Sequence, residues 1–185
     1  MDYSRYFWQG EKVRLRPACL SDAEKIYQGS LDTPSRHTLQ LATEFPQSIE
    51  SIKEFLEKYS GCKDVNGVVI FSIETLDGEY VGGISLHNCN QRHGTFSLGL
   101  TIDRPHWGKG YACDAARILL RFAFEERRYQ KCNSACIADN VASIALHKKL
   151  GFTEEGRRRR MFYYDGVYHD EVLFGLTAEE FAGSK

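Results

Sequence analysis

The sequence lacks a strong excess of either charge. Its 24 Lys and Arg residues are balanced by 25 Asp and Glu residues, so the formal net charge at pH 7 is -1. Proteins that bind nucleic acids or membrane surfaces through their overall charge carry a clear positive excess, so we expect neither partner. The chain also lacks an apolar run long enough to span a bilayer, and residues 1–6 lack the pattern of a signal peptide. These absences predict a cytoplasmic protein.

Metal-binding cysteine patterns are absent as well. The six cysteines include no C-x-x-C pair, and no Cys/His cluster has zinc spacing, so we expect no metal site and mostly structural, reduced thiols. The 185 residues contain no internal repeat, low-complexity tract or linker. They therefore predict a single domain over 1–185, with a core at about 11–177.

Hydrophobic periodicity predicts an α/β domain with a mixed central sheet of about seven strands flanked by helices. We expect strands at 12–17, 68–74, 80–86, 95–102, 131–137, 152–164 and 167–176. Helices are expected to begin near Ser21 and Ser48, after the glycines that follow residue 107, and at 139–150. Ser21 is expected to be the N-cap of the first helix, with Glu24 at capping-box spacing. Because a helix connects the strands at 95–102 and 131–137, these two strands should be parallel.

The segment 104–112 has the features of an anion-binding turn. It follows a predicted strand and opens a predicted helix with the run Trp107-Gly108-Lys109-Gly110-Tyr111-Ala112. Glycines let a ligand approach the backbone closely, and the first N–H groups of a helix attract phosphate. Two nucleotide-binding patterns do not fit, because G-x-G-x-x-G would need glycine at Cys113 and no G-K-[ST] is present.

This loop and two later motifs resemble the GNAT superfamily of N-acetyltransferases. The later motifs are Asn140-Val141-Ala142-Ser143 and Leu150-Gly151-Phe152, in the order and structural context of that superfamily. Within it, the chain is most similar to the ribosomal-protein N-terminal (alanine/serine) acetyltransferases and to their spermidine- and amino-acid-acetylating relatives. Val13-Arg14-Leu15-Arg16-Pro17 and Asp165-Gly166-x-x-x-Asp170 support this branch. The resemblance covers nearly the whole chain.

The resemblance implies a single-domain GNAT fold and acetyl-CoA as the acyl donor, with CoA as product. It implies that pantetheine pairs with a strand that splays from its neighbour, and that a backbone N–H there stabilises the oxyanion. The cofactor-binding residues are then expected to be Leu100, Thr101, Ile102, Trp107, Gly108, Lys109, Gly110, Tyr111, Ala112, Asn140 and Ser143. Trp107 replaces the usual Gln or Arg, so Lys109 and the backbone should carry more of the phosphate binding.

Two helical residues are the candidates for assisting the departing thiolate. Ser143 matches a serine that this branch places near the CoA sulfur, where one hydroxyl hydrogen bond helps a thiolate leave. His147 lies one turn later, where many superfamily members have a tyrosine that acts as general acid. Which of the two serves the thiolate stays open, and so do simpler roles: Asn140 as a helix N-cap and Ser143 as a surface serine.

The acceptor is expected to be a primary amine, most simply the α-amino group of a protein N-terminus or amino acid. Relatives often carry a glutamate base where this chain has Ser97. An α-amino group is already about 10% neutral at pH 7, whereas a lysine-like amine is only about 0.04% neutral. Losing the glutamate therefore favours an α-amino acceptor or a base that acts through a water molecule. Candidates for the base are His37, Glu44, Glu74, His87 and Asp170, and we assign His37, Glu44 and His87 to acceptor binding.

Alternative functions remain at this stage. The domain could acetylate a small molecule such as a polyamine or antibiotic-like amine, or bind acyl-CoA without turnover in a regulatory role. The run 157–160 consists of arginines, but on a strand these divide between two faces, which favours a solvated edge or cleft rim over a nucleic-acid site. Because superfamily members often dimerise, a homodimer is a further expectation.

Overall fold

A seven-stranded mixed sheet forms the centre of the computed structural model, which describes residues 5–39 and 45–183. Its strands are β1 (Val13–Pro17), β2 (Val69–Thr75), β3 (Tyr80–Asn90), β4 (Thr95–Ile102), β5 (Lys131–Ile137), β6 (Thr153–Tyr164) and β7 (Val167–Thr177). Their order in the sheet is β1-β2-β3-β4-β5-β7-β6. The predicted α/β class is confirmed, and so is the predicted parallel pairing of β4 with β5.

Helices flank this sheet. They are α1 (Ala23–Ser30), α2 (Thr33–Thr38), α3 (Ile49–Tyr59), α4 (Tyr111–Arg121), α5 (Val141–Lys149) and α6 (Ala178–Gly183). α3 begins next to Ser48, where a helix start was predicted, and Ser48 is its N-cap, since its side chain accepts the N–H of Ser51. Within the two described ranges, no helix is long and apolar enough to cross a membrane.

The predicted cap at Ser21 is wrong. A 3₁₀ turn over Leu20–Asp22 precedes α1, and the carboxylate of Asp22 accepts the N–H of Cys19. Asp22 is buried, and the guanidinium of Arg16 and the hydroxyl of Ser72 both donate to it. The carboxylate therefore replaces the serine as the acceptor at this turn, because the strand residues hold it in place.

The two faces of the sheet are covered by different helices. On one face, α4 packs against the main core, to which Ile84, Phe96 and Leu119 contribute fully buried side chains. On the other face, α1 and α3 form a smaller cluster with Ile70 of β2 at its edge. Side chains alternate along a strand, so the residues in register with Ile70 point toward α1 and α3. This second face is called the acceptor face below.

The last helix, α6, contributes to the main core. Phe181 of α6 is buried, and its ring lies 5.3 Å from the ring of Phe124. The helix therefore closes the end of the main core rather than trailing from it.

Candidate active site

A cleft opens where β4 and β5 separate. Their parallel register begins at Thr95 with Lys131 and ends at Ser97 with Asn133. Beyond Ser97, the edge of β4 that faces β5 has no strand partner, so alternate N–H and C=O groups are left for a ligand. The resulting cavity has a volume of about 1130 Å³. This is the splay that the resemblance implied, and it exposes backbone hydrogen-bonding groups at the cavity wall.

The glycine loop borders one end of this cleft. Gly108 and Gly110 have φ angles of 76° and 84°, in the left-handed region that favours glycine. Gly110 is the N-cap of α4 and offers no side chain to the first helical N–H groups. Asp114, in the first turn, accepts instead from the backbone N–H groups of Lys12 and Val13. The N-terminus of α4 is thus left without a side-chain cap on the side of the loop.

This arrangement fits an acyl-CoA. A Cβ on Gly108 would meet no atom within 4 Å, so the loop leaves open space beside its backbone. Free helical N–H groups and the helix dipole favour a pyrophosphate at that position. The loop, the β4 edge and the N-terminal half of α5 all line the same cavity. The predicted cofactor residues from Leu100 to Ile102, and Trp107, Gly108, Gly110, Tyr111, Ala112, Asn140 and Ser143, are among its lining residues.

Lys109 differs from the other loop residues because it does not line the cavity. Its ammonium group lies 6.0 Å from the centre of the Tyr111 ring, and its carbonyl accepts a hydrogen bond from Nζ of Lys12 at 3.0 Å. Lys12 therefore brings a second cation to the rear of the loop. No local pattern marks this contact, because the two lysines lie 97 residues apart in the chain. Trp107 anchors the loop through a 2.6 Å bond from Nε1 to the carbonyl of Ile102.

The start of α5 is fixed by Asn140. Its Oδ1 accepts the N–H of Ser143 at 2.9 Å, so the predicted N-cap role is confirmed. Its Nδ2 donates to the carbonyl of Thr38 at 2.9 Å, which ties α5 to α2. The contact of Asn140 with a cofactor stays a prediction. Ser143 is half-buried and presents its hydroxyl in the first turn of α5, within the cleft.

His147 is buried behind Ser143. Its Nδ1 lies 2.7 Å from the carbonyl of Ser143, which can only accept, so Nδ1 carries the proton. Its Nε2 lies 2.8 Å from the hydroxyl of Ser134 and accepts from it. The ring stacks on Phe174, with centroids 4.4 Å apart. Burial lowers the pKa of His147 from its usual value, partly opposed by the bond to Ser143, so the imidazole is neutral at pH 7.

The acceptor face of the cleft carries His87. This residue of β3 stands in register with Ser97 of β4, the position where the resemblance led us to expect a glutamate base. A Cβ on Gly99 would lie 3.4 Å from Cε1 of His87, so the glycine makes room for the ring. Nδ1 lies 3.4 Å from the hydroxyl of Ser85, and Nε2 has no partner in the described part of the chain. Burial lowers the pKa of His87 below its usual value.

The other acceptor and base candidates are not brought into the cleft in the same way. His37 packs its ring 5.2 Å from that of Tyr164, and it does not line the cavity. Glu74 forms ion pairs with Arg14 and Arg16, so its carboxylate serves the β1–β2 contact. Asp170 accepts the N–H of Arg160. Glu44 lies outside the described residues.

Ser134 and Arg158 were missed as individual site residues. Both line the cavity, Ser134 from β5 and Arg158 from β6. Ser134 had no motif to mark it, and Arg158 was one of a run of arginines. The predicted division of that run holds for two neighbours, because Arg157 pairs with Glu154 whereas Arg158 pairs with Glu171 of β7. Over residues 5–39 and 45–183, no group of three or more His, Cys, Asp or Glu residues is placed to hold a metal ion.

The family assignment follows from the match of this site with a known domain model. The model described as "Acetyltransferase (GNAT) domain" matches residues 12–153, which span β1, the splayed strands, the glycine loop and α5. The chain belongs to the GNAT acetyltransferase family. It is an N-acetyltransferase, and the donor of this family is acetyl-CoA.

Similar proteins support the family and leave the acceptor undetermined. The SPbeta prophage-derived uncharacterized N-acetyltransferase YokL of Bacillus subtilis (strain 168) is 33% identical, over 95% of each chain. A spermidine N-acetyltransferase from Vibrio cholerae, solved with CoA and spermine, has a TM-score of 0.81 at 20% identity and covers 92% of this chain and 98% of its own. RimL, a ribosomal L7/L12 α-N-protein acetyltransferase, has a TM-score of 0.73 at 22% identity and covers 90% of each. These two structures show the GNAT fold alone, because their acceptors differ.

Proposed function

We propose that this GNAT enzyme transfers the acetyl group of acetyl-CoA to an α-amino group, that of a protein N-terminus or of an amino acid. The observation that carries this proposal is the position of His87, opposite Ser97 on the acceptor face of the cleft. A neutral imidazole takes the place of the glutamate carboxylate on β4. The identity of this base restricts the amines that the enzyme can deprotonate.

The pKa of the amine, set against that of the base, decides between amine classes. From the ordinary imidazole value of about 6.5, the pKa gap to an α-ammonium group is about 1.2–1.5 units, or roughly 2 kcal/mol. The gap to a lysine-like ammonium group is about 4 units, or roughly 5 kcal/mol. Burial of His87 lowers its pKa and widens both gaps equally. An α-amine is therefore the acceptor that this base can serve.

In the reaction, acetyl-CoA supplies an activated acetyl group as a thioester. The unpaired N–H groups at the β4 edge stabilise the negative charge that develops on the carbonyl oxygen during attack by the amine. Nε2 of His87 accepts the amine proton, directly or through a water molecule, as the N–C bond forms. Ser143 donates a hydrogen bond to the departing sulfur as the C–S bond breaks, and the product leaves as a thiolate.

The geometry favours Ser143 over His147 as the group that touches the sulfur. The single N–H of His147 is donated to the carbonyl of Ser143, and its Nε2 accepts from Ser134. A buried, neutral imidazole with both nitrogens engaged has no proton to offer at pH 7. His147 is thus a positioning residue that holds the first turns of α5 against β5.

Acceptor preference is tested by the release of CoA thiol with matched peptides. One peptide has a free α-amine and an acetylated lysine side chain, and the other has the reverse; spermidine is a third acceptor. We expect kcat/KM at pH 7 to be roughly 10²-fold higher for the free α-amine, following the neutral fractions of the two amines. Equal or faster turnover of the lysine side chain or of spermidine would contradict the proposal.

A further inference from the structure

Arg158 places a guanidinium group on the acceptor face of the cleft. The sheet register links Arg158 to the cleft. Ser97 of β4 pairs with Asn133 of β5, and Ala135, also of β5, pairs with Leu173 of β7. On β7, Glu171 pairs with Arg158 of β6. Residues in register point to the same side of a sheet, and odd-numbered residues of β5 and β7 share that side. Arg158 and Leu173 both line the cavity. The guanidinium therefore lies on the side from which an acceptor approaches, separated by β7 and β5 from Ser97 of β4.

Only one edge of this guanidinium is used inside the protein. Nε and Nη2 both donate to the same oxygen, Oε2 of Glu171, with Nε at 2.5 Å. Glu171 is buried, whereas 52% of the Arg158 side chain is exposed. Nη1 has no partner in residues 5–39 and 45–183. The ion pair thus fixes the plane of the guanidinium and leaves its other donors open to the cleft.

The remaining charges on this side do not form a site for a polycation. Among the cavity-lining residues that the structure describes, Asp139 is the one carboxylate. Its side chain is 66% exposed, and its Oδ2 lies 2.5 Å from Nδ1 of His169. His87 is neutral because burial lowers its pKa. An entering acceptor meets the open hydrogen-bond donors of Arg158 at the cavity wall.

We propose that Arg158 binds a carboxylate of the acceptor, close to the amine that is acetylated. This inference rests on the proposed α-amino acceptor and specifies its chemical class. A guanidinium held in one plane is suited to charge-assisted hydrogen bonds with a carboxylate. The same group is supplied by the α-carboxylate of a free amino acid or by an acidic side chain next to a peptide N-terminus. Polyamines carry no such group and are repelled.

The first experiment uses the wild-type enzyme and acceptor pairs that differ in one carboxylate. One pair is a peptide amide with Glu or Gln as its second residue, and the other is a free amino acid and its amide. One of the two pairs represents the natural acceptor. In that pair, we expect the acceptor with the carboxylate to have a KM roughly tenfold lower than the acceptor without it, at a similar kcat. The difference should shrink as salt is added, because the guanidinium is half exposed. Equal KM values within both pairs would overturn the role of Arg158.

The second experiment assigns the preference to this residue. Arg158→Gln alone leaves Glu171 buried without its partner, so the variant used is Arg158→Gln with Glu171→Gln. It should lose the preference and still acetylate the uncharged acceptors. Arg158→Lys, which keeps a cation beside Glu171 but not the free edge, should reduce the preference several-fold. Arg157→Gln, whose partner Glu154 lies at the surface, is the matched control and should keep the preference unchanged.

The outcomes separate this inference from the proposed function. A preference that persists in the double variant and in Arg158→Lys would overturn the assignment to Arg158. Acetylation of α-amines without any carboxylate preference would also overturn it, while leaving the proposed function intact. If acetyl-CoA binds and no α-amine in the panel is acetylated, the proposed function itself fails.

Discussion

The donor and acceptor sides of the cleft are built in different ways. On the proposed donor side, the loop from Trp107 to Ala112 and the start of α5 present mainly backbone groups, together with the hydroxyl of Ser143. On the acceptor side, His87, Arg158 and α2 bring side chains from separate elements to one compartment. A site made of backbone groups is affected by few substitutions, because most side chains take no part in it. A side-chain site can be altered one residue at a time.

The largest expected effect is on the donor side. Gly110→Glu places a side chain at a φ of 84°, with its Cβ 3.0 Å from Nζ of Lys12, and adds a negative charge to the loop that is proposed to hold the pyrophosphate. For the wild type, acetyl-CoA at a hundred times its Kd should stabilise the fold by about 2.7 kcal/mol, which raises Tm by roughly 5–10 °C. Thermal unfolding of Gly110→Glu should show no such rise.

A matched control separates binding from backbone strain. Gly61 also has a positive φ, 71°, and a Cβ there would meet no atom within 4 Å. Gly61→Glu should therefore lower the basal Tm in a similar way but keep the rise with acetyl-CoA. An undiminished rise in Gly110→Glu would show that the donor does not use this loop.

The next effect concerns the acceptor side and should leave donor binding intact. His87→Gln removes the base, so kcat/KM for an α-amine should fall about 10²-fold or more. Because burial lowers the pKa of His87, the wild-type rate should fall only as pH drops below about 6.5, where the imidazole becomes protonated and cannot accept. In the variant, this limb should be replaced by a fall that follows the amine's own ionisation, at about pH 7.7–8.0.

The exposed His93 provides the comparison for this measurement. His93→Gln should keep both the wild-type rate and the acid limb in pH profiles of kcat/KM. If His87→Gln retains the full rate and the same acid limb, another group is the base, and the argument for an α-amino acceptor loses its main support.

The contrast between the two sides also explains what the sequence could predict. The glycine loop, Asn140 and Ser143 lie in short continuous segments, so the resemblance of these local motifs to the GNAT superfamily was enough to name them as candidates. Arg158 and His87 acquire their positions through strand register and the pairing of β6 with β7, which no local pattern encodes. Ser134 was missed for the same reason, because its partner His147 lies on a different element.

The smallest of these effects distinguishes the roles of Ser143 and His147, both in α5. Ser143→Ala removes one hydrogen bond to a charged leaving group, so kcat should fall roughly ten- to a hundredfold with little change in the KM for acetyl-CoA. His147→Phe keeps the stacking surface toward Phe174 and should cost only a few-fold, since the imidazole proton is already donated to the carbonyl of Ser143. Steady-state kinetics of both variants across pH checks this ranking. A larger loss in His147→Phe, together with loss of a basic limb in the pH profile, would instead make His147 the proton donor and Ser143 its support.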